Sequence, residues 1–219
     1  MRDPFGVPFD SLPDAISIFP LPGALLLPRG RLPLNIFEPR YLAMVLDALG
    51  HDRMIGMVQT ETEHDGPVPE DADLFNIGCA GRIISFNETT DGRLLITLEG
   101  ICRYRIAGEL EGGNGYRRVR PDFSAYRADM EGEAPVLDRD AFLALLHRYF
   151  DAKKLKVDWK ALEQTEDRLL IATLGMMCPF GLPEKQALLE AADFSAVTEV
   201  MQSLMTMAIQ EAEPSTAKH

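Results

Sequence analysis

Two hydrophobic periodicities divide this chain, and they do not interleave. Over much of residues 80–120, apolar side chains recur at every second position, the spacing of a strand with one covered face. From about residue 137 onward they recur at steps of three and four, the spacing of an amphipathic helix. Strands that come first and helices that follow do not alternate as βαβ units. The pattern predicts an α+β fold: an irregular arm at 1–14, a strand-rich part at 15–130, a helical part at 131–212 and a polar, frayed tail at 213–219.

Within the first part, Ile16 to Phe19 and Ala24 to Leu27 read as short extended pieces, each ended by proline. Glu38-Pro39 opens a helix over 39–49, since proline fits the first helical position; Leu42, Val45, Leu46 and Leu49 form its expected buried stripe and Gly50 ends it. Arg53 to Gln59 reads as a strand, and the acidic segment from Glu61 to Asp73 as a solvated, mobile loop. Ala80 to Phe86 and Leu94 to Leu98 flank Asp91-Gly92, a hairpin signal. Gly100 marks a bend, and Cys102, Tyr104 and Ile106 then alternate with Arg103 and Arg105. Tyr116 to Arg120 is the expected partner strand.

In the second part, Phe142, Leu145, Leu146 and Tyr149 make one helical stripe and Leu170, Leu174 and Met177 another. The run Cys178 to Pro183 breaks the pattern. A short helix starts at Pro183, and a longer one carries Val197, Val200, Met201, Leu204 and Ala208.

The net charge of -12 repels nucleic-acid phosphates and anionic lipid at long range, so nucleic acid and membrane are disfavoured as partners. Three separated cysteines, Cys79, Cys102 and Cys178, give neither a disulfide framework nor a zinc spacing, and fit a reducing, cytoplasmic setting. No apolar run reaches membrane-spanning length, and the acidic, proline-rich start lacks a secretory pattern.

Three segments resemble one known family. Residues 16–45 carry Phe19, Pro20, Leu21, Pro28, Leu34, Ile36, Phe37, Glu38, Arg40 and Tyr41 in the order found at the opening of the Lon protease N-terminal, or substrate-binding, domain. Residues 78–106 are similar to its strand, hairpin and Gly-x-x-Arg step, here Gly100 and Arg103, and residues 181–193 to its helical Pro-x-x-x-Gln-x-Leu-Leu-Glu run. The resemblance spans roughly 14–212. It implies a PUA-like β-barrel followed by a C-terminal helical bundle, and a role in engaging polypeptides. Phe19, Leu34, Phe37 and Tyr41 are expected in the barrel core. The Walker A loop and Ser-Lys peptidase of a full Lon protease have no counterpart in the sequence, so no catalysis and no cofactor are expected.

Candidate sites follow from these readings. Met176, Met177, Phe180 and Leu182 surround a helix break and are the polypeptide-binding candidates, because methionine repacks around varied apolar partners; the plainer alternative is that they fill a core. Arg103, Arg105, Arg118 and Arg120 are anion-binding candidates if their strands pair, with ion pairs to Glu99, Glu109 and Glu111 as the alternative. Cys178 with His147 is a poor nucleophile pair, and His64 among acids lacks a metal-site spacing, so no metal is expected. Three functions remain open at this point: a non-catalytic module for unfolded client polypeptides, with a role as an adaptor to a protease and weak self-association among its versions; an RNA- or anion-binding barrel; and an uncharacterised enzyme, for which no paired titratable groups can be assembled.

Overall fold

The computed structural model describes residues 6–64, 66–111, 115–132 and 137–212. The tail at 213–219 and most of the expected linker at 131–135 lie outside them. Six strands and one helix come first: β1 (Ile16–Pro20), β2 (Arg31–Ile36), α1 (Pro39–Leu49), β3 (Met54–Val58), β4 (Ile77–Glu88), β5 (Leu94–Leu110) and β6 (Arg118–Asp122). Helices follow: α2 (Ala128–Glu131), α3 (Arg139–Lys153), α4 (Trp159–Gln164), α5 (Asp167–Met177), α6 (Leu182–Glu190) and α7 (Phe194–Ala212). The molecule is α+β, as the two separated periodicities require.

The sheet is mixed. Its order is β2-β5-β4-β3-β1-β6, with β1 and β3 parallel and the other pairs antiparallel. The 17-residue β5 also pairs with β6, so the pairings β5–β4–β3–β1–β6 return to β5. Only β2 lies outside that ring, laid along the first part of β5, with Arg31 opposite Glu99 and Ile36 opposite Leu94.

Two turns do what their glycines allow. Gly92 takes φ +79° in the hairpin between β4 and β5, a conformation that costs glycine little. At Gly100 the ladder slips: Gly81 faces Gly100 while Ala80 faces Cys102, leaving Ile101 as the extra residue of a bulge. A Cβ on Gly100 would run into the Leu27 carbonyl. The approach is used, because the Gly100 carbonyl accepts from Arg29 N–H (2.7 Å) and the Gly100 N–H donates to the Gly30 carbonyl (2.9 Å).

The structure departs from the sequence reading in several places. Residues 24–27 are not a strand; Leu25, Leu26 and Leu27 are buried in irregular chain. The strand is β2, which the reading left unassigned. The α1 stripe is rotated: Tyr41, Met44, Val45 and Ala48 are buried, whereas Leu46 is exposed, because the core lies on the Phe19–Tyr41 side. Phe37 is 60 % exposed and Leu34 half-buried, so of the four residues expected in the core only Phe19 and Tyr41 are there. The acidic loop is anchored: Val68 and Ala72 are buried, and Glu61 N–H donates to the Asp73 carbonyl (3.0 Å).

The helices begin where side chains cap them. Asp138 accepts from Ala141 N–H (3.2 Å) at α3, Asp158 from Ala161 N–H (3.2 Å) at α4, and Glu166 from Leu169 N–H (3.2 Å) at α5. Phe142, Leu146 and Tyr149 of α3 are buried with Val197, Met201, Met205 and Ile209 of α7. One apolar core runs without interruption from Ile16 in β1 to Ile209 in α7.

Candidate functional site

Sheet and helices meet at Arg103. Its residue is 2 % exposed, although it lies on the face of β5 opposite Cys102 and Tyr104. Strand alternation alone would leave that face to solvent; here α2 and the α6–α7 junction cover it. Arg103 Nε and Nη2 donate to the two carboxylate oxygens of Asp129 (2.9 and 2.7 Å), and its own backbone N–H donates to the same carboxylate (3.0 Å). Nη1 reaches past them to the Leu189 carbonyl (3.2 Å) and to the Ala191 carbonyl, at the C-terminal end of α6. The guanidinium also lies over the Tyr126 ring (4.4 Å). Burial pushes its pKa down, but the Asp129 hydrogen bonds and charge outweigh that and raise it.

Arg103 therefore drops out of the expected four-arginine cluster. Arg103 is consumed as a buried clasp. Arg105 is exposed opposite Asp122, Arg120 sits across from Gly108, and half-buried Arg118 across from Leu110. Gly108 is five residues along β5 from Arg103, about 16 Å at the usual strand rise. The expected acid partners differ too: Glu99 approaches Arg31, Glu109 is held by Arg117, and Asp129 is the residue that pairs with Arg103.

The motif residues Glu38, Arg40 and Tyr41 are tethers. Arg40 Nη2 donates to Glu38 Oε2 (2.9 Å) and to the Val68 carbonyl (2.7 Å), while Arg117 Nη1 donates to the Ala72 carbonyl (2.6 Å). Two guanidiniums thus pin the acidic loop. Tyr41 packs on Phe19 with ring centroids 4.3 Å apart.

Nucleophile chemistry finds no support here. Cys178 is buried beside Tyr149, and burial pushes its thiol up to about 12; His147 is on the exposed side of α3, stacked on Trp159 at 3.5 Å. Cys102 is likewise pushed up to about 12 by burial. A cavity of about 360 Å³ opens at the seam between Leu27, Arg103, Asp129, Ile171 and Val197. Among the described residues its lining has one hydroxyl, Ser195, and no histidine, and the Asp193 carboxylate there accepts from Ala196 N–H (2.9 Å) to cap α7. No group of three or more His, Cys, Asp or Glu among the described residues could hold a metal ion, and no helix among them is long and apolar enough to cross a membrane.

The helix-break residues separate into two pairs. Phe180 and Leu182 are each 8 % exposed, with Phe180 against Tyr149, so they belong to the core and are withdrawn as contact residues. Met177 was also expected in the α5 stripe, yet it is 78 % exposed; Leu170, Ile171 and Leu174 carry the buried face instead. Met176 is half-buried, and its sulfur lies where a Cβ on Gly30 would have to be. That contact seats the end of α5 against the start of β2. Between them runs a trough of about 690 Å³ lined by Leu32, Leu169, Met176 and Met177 together with Arg29, Arg31, Glu99 and Glu166. Sequence reasoning missed Leu32 and Leu169. Nothing local marks them, because the trough exists only when two segments far apart in the chain meet.

These features define a class: an α+β module whose mixed sheet is clasped to a set of helices and which carries an open apolar trough at their junction. The chain belongs to the substrate-binding domain family of ATP-dependent protease La (LON), whose family model matches residues 15–206. Among relatives, Lon protease from Escherichia coli strain K12 is 26 % identical over 194 residues, covering 87 % of this chain and 24 % of that protein. Lon protease 2 from Myxococcus xanthus is 28 % identical over 113 residues, 52 % of this chain and 13 % of that protein. The chain thus spans a quarter or less of the length of these relatives. The crystal structure of a Lon N-terminal domain protein from Xanthomonas campestris superposes with a TM-score of 0.59 at 21 % identity, covering 88 % of this chain and 97 % of that one. The N-terminal domain of Mycobacterium avium complex Lon protease gives 0.62 at 15 % identity, covering 90 % and 98 %. Both likenesses bear on the fold.

Proposed function

We propose that this chain is a non-catalytic polypeptide-binding module that captures unfolded segments of client proteins in the trough between β2 and α5, as an adaptor in protein quality control. In this reading the five-strand ring is a PUA-like barrel and α3 to α7 form a helical bundle docked on it. The observation that carries the proposal is the placement of Met177. A side chain 78 % exposed, next to half-buried Met176 and to Leu169 at 37 %, leaves apolar area open in a groove between sheet and helices. Isolated exposed apolar residues need no explanation, but several lining one concavity do. Membership of a substrate-binding family supports the same assignment.

The driving force is burial of apolar side chains at about 25 cal/mol per Å², offset by the ordering of a flexible client. Arginines and glutamates both border the trough, so it carries no net sign and capture is expected to survive salt. The RNA- and anion-binding alternative loses Arg103, buried against Asp129, and is left with Arg105, Arg118 and Arg120 on a chain of net charge -12. The test is binding of reduced, carboxymethylated casein at low and high salt. Wild type should bind at both. The double variant Leu169→Ser, Met177→Ser should weaken binding by about thirtyfold, on the order of 1 kcal/mol for each side chain no longer buried. Absence of casein binding by the wild type ends the proposal.

A further inference from the structure

Backbone groups on the outer side of β2 say how a client would sit. The hydrogen bond from Gly100 N–H to the Gly30 carbonyl fixes the alternation of the β2–β5 ladder, and no register shift follows it. Residues 32, 34 and 36 therefore exchange hydrogen bonds with Leu98, Ile96 and Leu94. Residues 31, 33 and 35 turn their backbones the other way. Pro33 fits this phase, since its missing N–H falls on the outer row, where β5 needs no donor. Among the described residues no strand pairs with that row. It offers the N–H groups of Arg31 and Asn35 and the carbonyls of Arg31, Pro33 and Asn35, and its first half runs along the trough beside Met176 and Met177.

We infer that the occupant of the trough is an extended polypeptide segment that adds to the sheet as a strand on β2, with alternate apolar side chains settling against Leu32, Leu169 and Met177. This rests on the polypeptide-binding reading and specifies its mode. Three observations select this partner. A row of alternating donors and acceptors is complementary to another backbone and to few other ligands. Mixed charge in the lining, Arg29 and Arg31 with Glu99 and Glu166, favours a neutral segment over an anionic one. The apolar wall stands on one side of the row, which suits a strand whose side chains alternate between the wall and solvent. The outer side of β4 beyond Ile83 is also unpaired, but residues 84–88 there are all exposed.

The experiment is a backbone N-methyl scan of a short labelled peptide alternating leucine and serine, with affinity read by fluorescence anisotropy on the full chain. Methylation at every second amide should weaken binding tenfold or more, while methylation at the amides between should change it less than threefold. In the protein, Asn35→Pro removes an outward donor and sets a ring on the edge without touching the β2–β5 ladder; it should weaken binding at least tenfold. Asn35→Ala keeps the amide and should bind as wild type, and matching urea midpoints for the two variants exclude a folding defect. A flat methylation profile, or wild-type affinity in Asn35→Pro, overturns strand addition while leaving polypeptide binding in place. A peptide that does not bind, together with casein that does not bind, removes both.

Discussion

Arg103 concentrates at one residue the attachment of three segments: the Asp129 turn, the end of α6 and β5 itself. Truncating it strands a buried carboxylate and leaves the Leu189 and Ala191 carbonyls without this donor. Breaking one side of a buried ion pair typically costs about 3–5 kcal/mol. Arg103→Ala is therefore expected to lower the urea unfolding midpoint steeply or to prevent accumulation of folded protein. Arg103→Lys keeps the charge but loses the planar fork and should recover only part of the loss. A midpoint for Arg103→Ala within error of wild type would show the clasp to be dispensable. The alternation that put Arg103 on its face of β5 was legible in the sequence; its burial was not. Its acid partner lies 26 residues away and the carbonyls it reaches lie 86 and 88 away, separations at which no local pattern speaks. The same holds for Met177, whose helical spacing matched a stripe that the neighbouring Ile171 and Leu174 in fact occupy.

Among the elements, much of β4 and β5 was readable from the alternation along residues 94–106, a hairpin glycine at Gly92 and a bulge glycine at Gly100, although the two strands expected on either side of Gly100 are one continuous β5. The strand β2 was not, because a proline at its centre removes a donor and the sequence does not say which way that donor would have pointed. The loop after β3 taught a related lesson. Its composition is that of a solvated segment, yet Arg40 and Arg117 hold two of its carbonyls from outside. Arg40→Ala should loosen it: amides of residues 66–73 should exchange with deuterium at least tenfold faster, while those of β4 and β5 keep their protection. Unchanged exchange in the loop would show that burial of Val68 and Ala72 suffices to fix it.

For the molecule as a whole, α+β organisation was legible because the two periodicities are segregated; the joining of the halves was not, because it is made by side chains from both. The continuous core has a consequence for pH. Cys79 and Cys102 lie in the sheet and Cys178 at the end of α5, and burial raises all three thiols, the latter two from 9.0 to about 12. An acid whose pKa is raised by folding stabilises the fold fully below its unfolded value and loses that contribution as the pH climbs toward its folded value. Stability should thus fall between pH 9.0 and about 12, by up to about 1.4 kcal/mol per pH unit for each thiol. Because the core is shared, fluorescence of Trp159, the one tryptophan, and far-ultraviolet dichroism should report the same alkaline transition; two separate transitions would mean that the halves melt independently. Pro33 bears on how copies of the molecule coexist. An open strand margin ordinarily invites its own kind, one chain templating the next into a fibre. Here the middle of that margin has a carbonyl and no amide, so a second β2 laid against it meets a gap in the hydrogen-bond row, and its own Pro33 contributes another. A guest with a full complement of amides meets one gap in the row where a sibling meets two, so strand addition favours the guest over a second copy.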